Sequence, residues 1–372
     1  MVNKMKKCLL IFFLAILILF RADVQAKVVK PGKKGTDDAK SITRELKKSG
    51  RVKLVKGKKY HLRSNIRVGS NMTLNATGAT LIVYHSAIRN DGGKLKKGYA
   101  SMANIKIVGG TWKSKKKKGN SGTSFSFSHA RNITLKNMDI RCAHADGHGI
   151  ELVGCKDVTI KNCKVIAKGN GKKNSIEESI QIDMAEKYTA PFLKKRPRLW
   201  DGTPCRNIVI DGCTVTGCRG ISSNYVKKTK KFLNEYHDNI VIRNCTVTGT
   251  KAEALALFNA TNVTVKNNTL VSRSKRVDEA YSIGCHLAIF GNKPVSAYAK
   301  GKNLVENNVI KGGRQGFQIC SHTESVYGEL VIRNNKIYCK NGIWDALHVA
   351  YNAGYMSSAE TVDDQGNILY EW

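Results

Sequence analysis

The sequence predicts an all-β fold, a single-stranded right-handed parallel β-helix with a short N-terminal capping helix, and three observations carry that prediction. Short segments of alternating β-branched residues recur along the chain: "NITLKNMDI" (132–140), "DVTIKNCKV" (157–165), "NIVIDGCTV" (207–215), "NIVIRNCTV" (239–247), "NVTVKNNTL" (262–270), "NLVENNVI" (303–310) and "ELVIRNNKI" (329–337). An asparagine holds one place in nearly every copy, at Asn137, Asn162, Asn244, Asn267, Asn307 and Asn334. A second alternating segment precedes each copy, among them "GIELVG", "SIQIDM", "ALALFN" and "GFQICS". A fixed repeat, 25 residues from Asn137 to Asn162, means stacked supersecondary units. Asparagine suits the corner because it tolerates a left-handed turn and can bond to the asparagine one coil away.

The elements follow in order. Residues 1–26 read as a secretory signal peptide: Lys4, Lys6 and Lys7, the apolar run "CLLIFFLAILILF" (8–20), then a small-residue cleavage site in "VQA". No later stretch is long and apolar enough to span a bilayer, so a secreted or cell-surface chain is expected. Residues 27–70 form the N-terminal cap and entry strands, with Ile42 and Leu46 sharing one face of a short helix over the open end of the solenoid. Residues 71–352 are the coils and 353–372 a C-terminal cap.

The formal charge is +35. Such a field gathers polyanions, and outside a cell these are acidic polysaccharides or an anionic envelope. No nucleic-acid-binding motif accompanies the charge, so nucleic acid is not an expected partner. A monomer retained at an anionic surface is expected. Of 11 cysteines, ten lie beyond the signal segment. Cys163, Cys213 and Cys245 each follow the corner position and should stack in the core as small hydrophobes, which favours free thiols over a disulfide framework. Cys213–Cys218 remains open as an isolated pair.

The stretch from "GTDDAKSITRELKKSG" to "NMTLNATGATLIV" (35–83) resembles the cap and first coils of pectate-lyase-like proteins. "GGTW" (109–112) and "GHGIELVGCKDVTIKN" (147–162) resemble family-28 glycoside hydrolases, the polygalacturonase and rhamnogalacturonase relatives. The resemblance covers nearly all of residues 35–350 and implies the β-helix and a carbohydrate-related role. It does not transfer catalytic roles. Gly147-His148-Gly149 precedes the acidic pair Glu177-Glu178 instead of following it, and the family's Asn-Thr-Asp and Arg-x-Lys coils are missing.

Residues at equivalent places in successive coils form columns about 4.8 Å apart. Registering coils on inward pairs such as Phe125/Phe127, Ile150/Leu152, Ile180/Ile182, Leu255/Leu257 and Leu287/Ile289 gives three columns of other residues. One reads Ser126, Glu151, Gln181, Ser222, Ala256, Ala288; the next Ser128, Val153, Asp183, Asn224, Phe258, Phe290; the third His148, Glu178, Arg219, Glu253, Cys285. Polar groups concentrate from 123 to 224 and lack lysine, as a binding groove would select. The insertions 186–205 and 225–238 should rise beside that groove. Their basic and aromatic residues, including Arg198, Trp200, Lys227 and Lys228, suit the charges and ring faces of an acidic sugar.

Candidate catalytic residues are Asp146, His148, Glu151, Glu178 and Asp183. Candidate substrate-binding residues are Ser126, Ser128, His129, Gln181, Arg219, Asn224, Arg198, Trp200, Lys227 and Lys228. Glycosidic hydrolysis needs two carboxyl groups, and Glu151 and Asp183 should lie about 8 Å apart at Cα. No cofactor or bound metal is expected for that chemistry. A polysaccharide lyase or epimerase would instead use His148 or Arg219 as base, with Ca²⁺ held by Asp183, Glu151 and Glu178. A non-catalytic glycan-binding β-helix is the third reading. His286, His322 and His348 are expected in packing or turn roles, and no cysteine nucleophile is expected.

Overall fold

The computed structural model describes residues 25–115, 124–142, 147–167, 177–188, 190–224, 235–275, 281–290, 301–321, 327–343, 346–349, 359–363 and 365–371. Asp146, Lys227, Lys228 and the signal segment up to residue 24 lie outside them. The helix Asp38–Ser49 covers the N-terminal end and buries Ala39, Ile42 and Leu46. Asp37 caps it through Ala39 N and also accepts from Arg63 N at 2.9 Å, so the acidic pair at its start ties helix to entry strands. Gly50 closes it in the left-handed region at φ 68°, where a Cβ would be strained.

Beyond the cap, the strands stack into three all-parallel sheets of 10, 13 and 11 strands, each coil contributing one strand to each sheet. This is the expected parallel β-helix. The first sheet runs through Phe125–Ser128, Ile150–Val153, Glu178–Asp183, Arg219–Ser223, Leu255–Phe258, Ile283–Ile289 and Gln315–Ser321. The second holds Met102–Val108, Ala130–Lys136, Lys156–Lys161, Arg206–Asp211 and His237–Arg243; the third holds the short strands that follow each corner. Strands Ala359–Asp363 and Ile368–Glu371 still pair with their predecessors.

The corners explain the repeat. Asn137, Asn162, Asn244, Asn267, Asn307 and Asn334 all have φ between 52° and 58°, the left-handed region that asparagine visits more readily than bulkier residues. A second asparagine ladder, absent from the sequence reading, opens the second sheet: Asn132 Nδ2 donates to Asn104 Oδ1 at 2.7 Å, and Asn239 Nδ2 to Asn207 Oδ1 at 3.0 Å. Inside the first ladder, the column Met138, Cys163, Cys213, Cys245 continues as Asn268, Asn308 and Asn335, whose buried amides bond coil to coil at 2.9–3.0 Å. The nine cysteines whose side chains are described, Cys213 and Cys218 included, are free thiols.

Candidate functional site

The outer face of the first sheet carries the expected columns with one correction. Leu255 and Leu257 pair with Cys285 and Leu287, not with Leu287 and Ile289. The coil 283–289 is therefore shifted by two residues, and His286, not Ala288, continues the column of Glu151 and Gln181. A signal for the right register was present. Each inward pair is preceded by a small residue (Gly149, Ser179, Gly220, Ala254, Gly284, Gly316), and at the four glycines an added Cβ would press on packed atoms: 2.6 Å to Val165 Cγ1 at Gly149 and 2.3 Å to Ile337 Cγ2 at Gly316.

With that register, the outer columns do turn apolar after residue 224 at Ala256, Phe258 and Ala288, but Glu253 and His286 carry the buried polar series past it. His148, Glu178, Arg219, Glu253 and His286 form one buried chain of charges across successive coils, each at most 6% exposed. His148 Nδ1 lies 3.3 Å from Glu178 Oε2, and Arg219 bridges Glu178 Oε1 at 3.0 Å and Glu253 Oε2 at 2.8 Å. His286 Nδ1 stands 3.4 Å from Glu253 Oε1, with Cys320 Sγ 3.6 Å from its Nε2. Burial alone would lower the Arg219 pKa, but the charges of Glu253 and Glu178 outweigh it and hold the guanidinium ionised. Burial likewise raises Glu253, yet Arg219 and His286 leave it below its ordinary value. An arginine so held is no proton acceptor, which removes it as a candidate lyase base.

Glu151 and Asp183 have the opposite environment. They sit one coil and two residues apart as expected, since Glu151 pairs with Gln181 and Val153 with Asp183. Both are fully buried. Burial pushes Asp183 well above the usual carboxylate range, and the charges of Glu151 and Glu178 push further. Burial also raises Glu151, although His148 and the Phe192 N–H pull the other way. Asp183 Oδ1 accepts from Asn224 Nδ2 at 3.1 Å, while Oδ2 has no hydrogen-bond partner among the described residues. Burial depresses His237 to about 4, so its ring is neutral; it accepts from Cys205 N at 3.0 Å and donates to the Asn224 carbonyl at 2.9 Å, fixing the residue that holds Asp183.

What buries Glu151 is the insertion 186–205. It does not rise beside a groove; it folds across the face as a strap. Phe192 N donates to Glu151 Oε1 at 2.9 Å, and the strap's own Ala190, Phe192, Leu193 and Leu199 are buried. Arg196 stacks on Phe192 and reaches Asp91 at 3.5 Å, and Trp200 Nε1 donates to Leu193 O at 2.9 Å. Asp201, which the sequence reading missed, anchors the strap: it meets His129 Nε2 at 3.1 Å and accepts from Gly98 N at 2.9 Å. Although burial raises Asp201, these bonds hold it far below the usual range.

Several expectations change accordingly. His129 is fully buried at a corner with φ 54°, a strap anchor instead of a groove wall, and Ser128 Oγ meets its Nδ1 at 2.6 Å. Ser126, Gln181 and Arg219 are buried, Asn224 and Trp200 are half-buried, and Arg198 is exposed on the strap. Tyr236, expected on a loop beside the groove, is buried. Among the described residues, no three His, Cys, Asp or Glu side chains are placed to share a metal ion. No helix among the described residues is long and apolar enough to cross a membrane.

No protein-family model matches the chain, and no curated protein matches it in sequence. Solved structures do. The surface adhesin PfbA of Streptococcus pneumoniae superposes with TM-score 0.59 at 17% identity, over 94% of this chain and 93% of that one. A second PfbA structure gives 0.56 at 15% identity, over 94% and 96%. The Dettilon tailspike protein gives 0.50 at 14% identity, over 93% of this chain and 68% of its own. At these identities the likeness establishes the fold.

Proposed function

We propose that the protein is an extracellular β-helix acting on an acidic polysaccharide, cleaving glycosidic bonds through carboxyl groups on the outer face of the first sheet. The observation that carries this reading is Asp183: a carboxyl group pushed towards its protonated form by burial and neighbouring charge, with Oδ2 not engaged by any described residue. Five residues earlier on the same strand the Glu178 carboxylate is ion-paired with Arg219. Carboxyl groups whose environments diverge in this way divide the acid and base roles of hydrolysis. Asp183 is the acid, Glu178 the carboxylate that activates water, and Asn224 and Gln181 position the sugar. Glu151, bonded to the strap backbone, positions the strap. Asp183 is fully buried, so substrate reaches it only when the chain around it is displaced, and that displacement is part of the reading.

A specific observation favours a second reading. Complete burial of Glu151 and Asp183 suits a structural acid pair in a glycan-binding or adhesive protein, the class to which PfbA's description belongs. The two separate on incubation of the mature chain with polygalacturonate, rhamnogalacturonan, alginate and glycosaminoglycans. New reducing ends without unsaturated product, abolished by Asp183→Asn, support hydrolysis. Reducing ends with unsaturated product move the chemistry to elimination with His148 as base, and a chelator then reports on Ca²⁺. Retention of a polymer without any product assigns the binding role.

A further inference from the structure

A second concentration of exposed cations stands apart from the acid-bearing face and the basic strap that crosses it. It lies on the outer face of the second sheet. There Arg131, Lys156 and Arg206 stand in one register column, Lys136 and Lys161 in another, with Lys106, Thr134 and Thr159 in the column between. The cationic columns are about 16 Å apart and repeat every 4.8 Å or so. At the N-terminal end of the same face an open depression of about 780 Å³ is lined by Arg51, Thr73, Asn75 and Lys106.

The same sheet supplies its own control. In its C-terminal half the cations are neutralised: Lys266 and Arg333 meet Glu306 at 2.7 and 2.9 Å, Lys302 meets Glu329 at 2.7 Å, and Arg243 meets Asp211 at 3.2 Å. In the N-terminal half, Lys106, Lys136 and Arg206 are exposed and Lys156 half-buried, and none of the four forms an ion pair with a described residue. Like charges one coil apart repel, at a cost that an external polyanion removes.

We propose that this half of the second sheet, from Arg51 to Arg206, is a docking track for a linear carboxylated polysaccharide, separate from the acid-bearing face. Only the class of occupant rests on the proposed function; the track itself follows from the charge arrangement. A chain lying along the helix axis would meet a cation on either flank at the two coils Arg131/Lys136 and Lys156/Lys161, with threonine hydroxyls beneath it, although Lys161 also meets Asp211 at 3.6 Å.

The test compares two double variants of the mature chain that lose the same net charge: Lys136→Gln with Lys156→Gln, and Lys266→Gln with Lys302→Gln. The probe is immobilised polygalacturonate over a salt series, with anionic phosphatidylglycerol vesicles alongside. The first pair should weaken retention about tenfold and flatten the salt dependence by one to two units of log–log slope or thereabouts, while the second moves neither. Equal losses in both pairs would reduce the effect to net charge and overturn the track. So would absence of retention by the wild type, or a preference for vesicles over polymer. Asp183→Asn should keep full retention, so failure of the cleavage reading is distinguishable from failure of the track.

Discussion

The outer faces of the first and second sheets share one coil repeat and use it in opposite ways. On the first, ionisable groups are buried and the charged ones are matched: Arg219 is held between Glu178 and Glu253, each with a histidine behind it. On the N-terminal half of the second, Lys106, Lys136, Lys156 and Arg206 are left without a carboxylate among the described residues. A buried charge must find its partner within the chain, because desolvation is too costly otherwise; an exposed one can leave its partner to solvent or ligand. Identical spacing therefore yields a chemically tuned, sequestered face and an open electrostatic one.

The sharpest way to break this contrast is Arg219→Leu. It strands two buried carboxylates and should cost about 3–5 kcal/mol in denaturant unfolding, with much of the loss recovered when Glu178→Gln and Glu253→Gln are added. Asp201→Asn should cost about 1–3 kcal/mol by weakening the strap's bonds to His129 and Gly98. Tryptic cleavage at Lys194, Lys195 or Arg198 should then outpace that of the wild type. The pH dependence carries a sign. Because the folded-state pKa of Asp183 is raised, its favourable contribution is complete below the unfolded carboxylate pKa and is lost as pH rises through the folded value. Asp183→Asn should flatten that decline on the alkaline side. Glu253 and Asp201, held low, contribute above the unfolded pKa and lose stability as pH falls, so Asp201→Asn should flatten the acid limb instead. The smallest effect belongs to the exposed face: Lys136→Ala should shift stability by no more than about 0.5 kcal/mol.

How much of this was legible in the sequence follows from which interactions are periodic. Asn137, Asn162 and Asn244 announce the coil because each must occupy the same left-handed corner. The Glu151–Asp183 and Glu178–Arg219 neighbourhoods follow from counting residues within coils. The second asparagine ladder was missed because Asp157 interrupts it, and an aspartate there accepts from Asn207 without repeating the letter. The slip at 283–289 arose because "LAIF" and "CHLA" both alternate, and only the preceding Gly284 distinguishes them. The strap was beyond reach. Its course depends on single long-range partners, Phe192 with Glu151 and Asp201 with His129, which no period encodes. Reading that segment as a loop beside a groove therefore misjudged the burial of every carboxylate it covers.

The central claim is that one face of this β-helix raises the pKa of Asp183 and lowers that of Glu253 relative to ordinary carboxyl groups. Carbon-13 NMR of labelled Asp and Glu carboxyl groups, assigned with Asp183→Asn and Glu253→Gln, tests it directly. The account predicts that the Asp183 resonance moves from its protonated to its carboxylate position at a higher pH than an ordinary carboxyl group, and Glu253 at a lower one. An Asp183 resonance that titrates together with Glu253 or below it would contradict it.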